Sequence, residues 1–160
     1  MVATGEALYE RLAYEAAQRA LDKQERLLDE LRSRTGLLVA AASLAASFLG
    51  REAFGGDPRR GLALLALVAF LLTVGASVYI LLPKTDRFIF AMVGAGLYEG
   101  LYSVKDDLAE VYRRLAYELD RFWDANDVEM QKLFTAFRLA AIGLSAEVVV
   151  LIAMVSDNLL

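Results

Sequence analysis

Apolar positions in this chain fall into uncharged blocks, separated by charged stretches that keep a helical period. The longest block, Gly61 to Leu82, runs 22 residues without a charge. At about 1.5 Å of rise per residue it is long enough to cross a bilayer core of about 30 Å. Pro83-Lys84-Thr85-Asp86-Arg87 follows at once, a helix stop with charges suited to an interface. Thr35 to Gly50 is a shorter block of 16 residues, rich in alanine and serine. A ten-residue polar link, Arg51 to Arg60, with Gly55-Gly56-Asp57-Pro58 inside it, joins the two blocks, so the pair reads as a transmembrane hairpin. The third block, Leu139 to Val155, has 17 residues and one acid, Glu147, at its midpoint.

The charged stretches predict helices outside the bilayer. Between Thr4 and Arg34 there is no proline and no glycine after Gly5, and Leu8, Leu12, Ala16, Ala20, Leu27 and Leu31 form a stripe, with Tyr9, Ala13 and Leu28 beside it. A second helix is expected from near Ser103, with Val104, Leu108, Val111, Leu115, Leu119 and Phe122 close to a heptad seam. The two stripes are expected to pack on each other as a cytoplasmic helical hairpin, with packing between subunits as the alternative. Asp124-Ala125-Asn126-Asp127 predicts a break, after which Asp127 caps a new helix leading into the third block. Phe88 to Tyr102, short and carrying Gly94, Gly96 and Gly100, reads as an interfacial or re-entrant piece. The expected fold class is therefore all-α: one integrated membrane domain with a cytoplasmic helix at 4–34, spans at 35–50, 61–82 and 139–155, an interfacial segment at 88–102 and a cytoplasmic helix at 103–136.

Composition narrows the chemistry. The chain has 160 residues, 58% of them hydrophobic, with no cysteine and no histidine. That excludes disulfide scaffolds, Cys/His zinc sites and catalysis by a histidine base or a cysteine nucleophile. No phosphate-binding glycine loop, nucleophile-base pair or spaced metal-ligand set is found, so the chain reads as a non-enzyme without cofactor or metal. Asp106-Asp107 with Glu110, and Asp120 with Asp124, read as solvated helix faces. Net charge is −4, and neither polar stretch concentrates basic residues, so nucleic acid is not expected as a partner.

Basic residues also set the orientation. Six precede the first block (Arg11, Arg19, Lys23, Arg26, Arg32, Arg34) and eight separate the second from the third (Lys84, Arg87, Lys105, Arg113, Arg114, Arg121, Lys132, Arg138). The link has three and the C-terminal tail none. The positive-inside rule then places the N-terminus and the 84–138 region in the cytoplasm, and the link and C-terminus outside.

Candidate functional residues lie in the spans. A carboxylate at mid-bilayer costs at least about 2.5 kcal/mol by insertion scales, so Glu147 is expected to face protein, water or a partner. Ser43, Ser47, Thr73, Ser77, Tyr79 and Ser145 are its candidate hydrogen-bond partners. Two readings stay open: a protonated Glu147 in structural interhelical hydrogen bonds, or an acidic ring lining an ion pathway in an oligomer, with Ser43 and Ser47 as further pore-lining residues. Gly36 and Ala40, in line with Ser43 and Ser47, and Gly75 in the second span, are candidate close-approach points for helix packing.

A helix ending in the basic turn Leu28 to Gly36 (LDELRSRTG), followed by a tight alanine-rich hairpin and further charged helices, resembles the SLATT group of small bacterial membrane proteins and the transmembrane effectors of Pycsar-type anti-phage systems. The resemblance covers about residues 4–122 and departs at the third span with its Glu147. It implies an oligomeric, membrane-disrupting or pore-forming effector, gated by a nucleotide signal or a cytoplasmic protein. Arginine-heavy usage, 13 Arg against 4 Lys, suits a high-GC bacterium. The expected function is a homo-oligomeric channel or pore-forming effector of the bacterial inner membrane. Its competitors are a membrane-anchored module that recruits a cytoplasmic partner and a proton-coupled transporter subunit using Glu147.

Overall fold

The computed structural model describes residues 3–53, 60–82, 87–90, 99, 101–102 and 107–156. Three helices account for nearly all of them: α1 (Ala3–Ala53), α2 (Arg60–Leu81) and α3 (Leu108–Ser156). The fold class is all-α. The glycine-rich part of the link (54–59), the proline stop (83–86), most of the expected interfacial segment (91–98 and 100) and the expected start of the second charged helix (103–106) lie outside the described residues.

Both charged helices continue into the apolar blocks without interruption. α1 joins the segments expected at 4–34 and 35–50, and α3 joins those expected near 103–136 and 139–155. The expected break at Asp124–Asp127 is absent. Asparagine and aspartate disrupt helices when their side chains compete for nearby backbone groups, and here those side chains are engaged elsewhere. Asp127 accepts a hydrogen bond from Gln131 one turn on, at 2.7 Å. Asn126 is fully buried and turns to a different segment, accepting from the Ile89 N–H at 3.0 Å and donating to the Ile89 carbonyl at 2.9 Å. Among the described residues α3 begins at Leu108. Asp107 caps it, its Oδ1 accepting from the Glu110 N–H at 3.2 Å.

The chain divides into two compact units: unit 1, Met1–Asp29 with Lys84–Gln131, and unit 2, Glu30–Pro83 with Lys132–Leu160. In unit 1 the core is Ala17, Leu21 and Leu119, with Tyr14 and Phe122 packed on it. Tyr14 meets Tyr112 with ring centroids 5.7 Å apart, and Gln24 donates to the Trp123 carbonyl at 3.1 Å. Residue numbers on the two helices rise together along these contacts, so α1 and α3 run parallel here. The two stretches pack on each other as expected, but as a parallel pair rather than a hairpin.

The buried face of α1 is also displaced from the predicted stripe. Leu8 and Leu12 are exposed, and the buried residues are Ala17, Leu21, Gln24, Leu28 and Leu31. The reason is geometric. Leu8, Leu12, Ala16 and Ala20 step by four, which advances about 40° around the helix at each step, whereas alternating steps of four and three stay on one side. Outside this seam, Arg11 and Arg19 pair with Glu15, Arg113 and Arg114 with Glu110, and Arg121 with Glu118, all along exposed helix surface. The segment Arg87–Phe90 is held against α3 by Asn126 and by an Arg87–Glu129 ion pair at 3.4 Å.

Asn126→Ala removes both hydrogen bonds to Ile89. It should destabilise unit 1 by about 1–2 kcal/mol. Amide hydrogen exchange at Ile89 should accelerate while the Leu119 amide stays protected, and equal exchange at Ile89 in variant and wild type would contradict the clamp.

Candidate functional site in unit 2

Two helices, Gly61–Leu81 and the α3 stretch within Leu108–Met154, are long and apolar enough to cross a membrane, and only 28% of either apolar window is buried inside the chain. What is buried combines alanine, threonine, serine and Glu147 with a few large apolar side chains, Leu31, Ile80, Leu133, Val150 and Met154. On α2 the inward row is Ala66, Ala69, Thr73, Ser77 and Ile80, spaced by three and four. Leu64, Leu65, Leu67, Val68, Leu71 and Leu72 of the same helix are exposed. On α3 the inward row is Ala136, Ala140, Gly143, Glu147, Val150 and Met154, while Leu139, Ile142, Val149 and Ile152 point outward. α1 contributes Thr35, Ala42 and Ala45 to the buried set and leaves Leu37, Leu44 and Phe48 outside. A water-soluble unit buries its large side chains and exposes its polar ones; here many large aliphatic side chains are exposed while Thr35, Thr73, Ser77 and Glu147 are buried.

α2 and α3 run antiparallel. Ala66 packs with Val150 and Met154 near one end, and Thr73 meets Ala140 and Gly143 further along. The Thr73 hydroxyl donates within its own helix to Ala69 O at 3.0 Å and lies 3.3 Å from Ala140 O across the interface. Gly143 makes this approach possible. A Cβ there would overlap the Thr73 Oγ1 and stand 3.1 Å from the Ala69 carbonyl oxygen.

Glu147 follows Gly143 by one helical turn and precedes Val150 by another, so it lies on the side of α3 that faces the alanines of α2. It is fully buried, and among the described residues neither carboxyl oxygen has a hydrogen-bond partner. The hydroxyls expected to serve it are engaged along their own helices: Ser43 donates to Val39 O, Ser47 to Leu44 O, Ser77 to Thr73 O and Ser145 to Ala141 O. Thr35 likewise donates to Leu31 O. Tyr79 is partly exposed and is not a partner of the carboxyl.

The residues singled out in the sequence therefore separate. Glu147 is inside unit 2. Ser43, Ser47, Gly36 and Ala40 share an outward strip of α1. Gly36 and Gly75 have open space where a Cβ would go, and both face outward, so neither is a close-approach point within the chain. That role belongs to Gly143, which the sequence reading passed over. Its signal was present, since Ala136, Ala140, Gly143 and Glu147 are spaced by four, three and four. The acidic groups near the α3 start serve the helix itself, Asp107 as cap and Glu110 as an ion-pair partner. No three Asp, Glu, His or Cys residues among those described are grouped to hold a metal ion. Comparison of the chain with protein-family models, curated proteins and solved structures finds no match.

Gly143→Ala should destabilise unit 2 by about 1–3 kcal/mol through overpacking, whereas Gly36→Ala and Gly75→Ala should be neutral or stabilising. Thermal unfolding in detergent checks this. Adding Thr73→Ala to Gly143→Ala should recover part of the loss, and a Gly143→Ala protein as stable as wild type would contradict the close approach.

Proposed function

We propose that the protein is a non-enzymatic integral membrane protein of the bacterial inner membrane, in which unit 2 is the bilayer-embedded part. Residues 35–50, 61–82 and 139–155 are its three spans, with the N-terminus in the cytoplasm and the C-terminus outside. It self-associates into a channel or pore-forming effector, and unit 1 controls assembly or opening in response to a cytoplasmic protein or nucleotide signal. The observation that carries this reading is the exposed apolar surface of unit 2, with most leucines of α2 outside while Thr35, Thr73, Ser77 and the Glu147 carboxyl are buried. Lipid tails solvate the outer leucines, and small residues let helices pack where no hydrophobic driving force separates protein from solvent.

Within this reading the outward strip Gly36, Ala40, Ser43 and Ser47 supplies the subunit contact and the hydroxyls of the conducting path. Its small side chains permit close approach, and its serines offer oxygen to water or ions. Glu147, buried within the subunit, is held apart from that strip. A second reading, a membrane-anchored module recruiting a cytoplasmic partner, draws on the exposed Leu8, Tyr9 and Leu12 of unit 1.

Purified protein in liposomes should release potassium and run as a defined oligomer. Ser43→Leu with Ser47→Leu should keep the helical circular dichroism and lose the flux. A well-formed oligomer silent with and without cytoplasmic extract would contradict the channel. Loss of partner capture in Leu8→Glu with Leu12→Glu would then support the anchor.

A further inference from the structure

Among the described residues of the helices around it, the unpartnered carboxyl of Glu147 has no charged neighbour to turn to. On α2, residues 61–82 carry no Asp, Glu, Lys or Arg, and the titratable Tyr79 lies on the partly exposed side. On α1, residues 35–48 carry neither a charged nor a titratable side chain. On α3 itself the nearest charge toward the N-terminus is Arg138, nine residues away and exposed. An ionised carboxylate here would be a buried charge without donor or counter-ion, the costliest arrangement available to it.

A metal cation does not resolve this. Hard cations take six or more oxygen ligands, and among the described residues no group of three Asp, Glu, His or Cys is placed to hold one. A proton needs no ligand shell. Once bound to one carboxyl oxygen it removes the charge outright, leaving a neutral group that an alanine- and glycine-lined helix contact tolerates.

We infer that Glu147 is a proton-binding site within unit 2, loaded when α2 and α3 are closed on each other at Gly143 and Thr73 and unloaded only when that contact opens to water. The inference rests on the bilayer reading of unit 2 and names the ion that its interior takes. The step is a plain acid dissociation: the Glu147 O–H bond breaks, the electron pair stays on the carboxylate and the proton passes to water. Opening is coupled to it because the closed contact offers the anion no donor. Gly143 sets the tightness of that contact, so it also sets how firmly the proton is held.

The test uses full-length protein in phosphatidylcholine–phosphatidylglycerol vesicles near neutral pH, with infrared difference spectroscopy between wild type and Glu147→Gln. The expected result is a neutral-carboxyl C=O band present in wild type, retained in Glu147→Asp and missing in Glu147→Gln, which shifts when the medium is changed to D₂O. Gly143→Ala should speed the D₂O shift. Dicyclohexylcarbodiimide, which partitions into lipid and reacts with protonated carboxyls, should label wild type and not Glu147→Gln. No neutral band in wild type would overturn the site, and a band indifferent to D₂O would overturn proton release. Potassium release from the same vesicles separates the two proposals. Flux without the band removes the proton site and leaves the channel, whereas the band without flux does the reverse.

Discussion

Contact between Gly143 and Thr73 sets the distance between α2 and α3, and much of unit 2 follows from that distance. With no side chain at 143, the Thr73 hydroxyl reaches the Ala140 carbonyl across the interface. The alanines at 66 and 69 can then be fully or nearly fully covered. Where the helices are closest the buried residues are small, while larger ones such as Ile80, Val150 and Met154 are buried away from that point and most leucines of α2 are exposed. Glu147, one turn beyond Gly143, is enclosed by the same approach and loses access to any donor. Close packing and the enclosed carboxyl thus both follow from one steric allowance.

Unit 1 distributes its side chains differently. Its parallel α1–α3 pair buries Leu21 and Leu119 and displays ion pairs such as Glu15 with Arg11 and Arg19, the arrangement water imposes. The same two helices continue into unit 2, where the buried α1 residues shift from Leu21 and Leu28 to Thr35, Ala42 and Ala45. The change from large-inside to small-inside occurs along a single uninterrupted helix.

Helix content and the apolar blocks were legible in the sequence because both depend on local period and on runs of charge-free residues. Details that depend on side-chain partners were not. Asn126 has the profile of a helix breaker, and only its pairing with Ile89, 37 residues away, explains why α3 continues. The α1 stripe was misplaced because leucine marked it, whereas the buried face includes Ala17 and Gln24 and excludes Leu8 and Leu12. Gly36 and Gly75 were read as close-approach points from small-residue spacing, but within the chain, among the described glycines, the close approach is at Gly143. Glu147 was found from its position alone, while its lack of a partner required knowing where each hydroxyl donates.

The claim on which the account rests is that the exposed leucines of unit 2 face lipid. Because the chain has no cysteine, single-cysteine variants report without background. Leu72→Cys on the outer face of α2 and Arg121→Cys in unit 1 should be compared for reaction with a polar, membrane-impermeant maleimide in inside-out vesicles. The account predicts prompt labelling at 121 and none at 72 until detergent is added. Equal labelling at the two positions in intact vesicles would place unit 2 in water and contradict it.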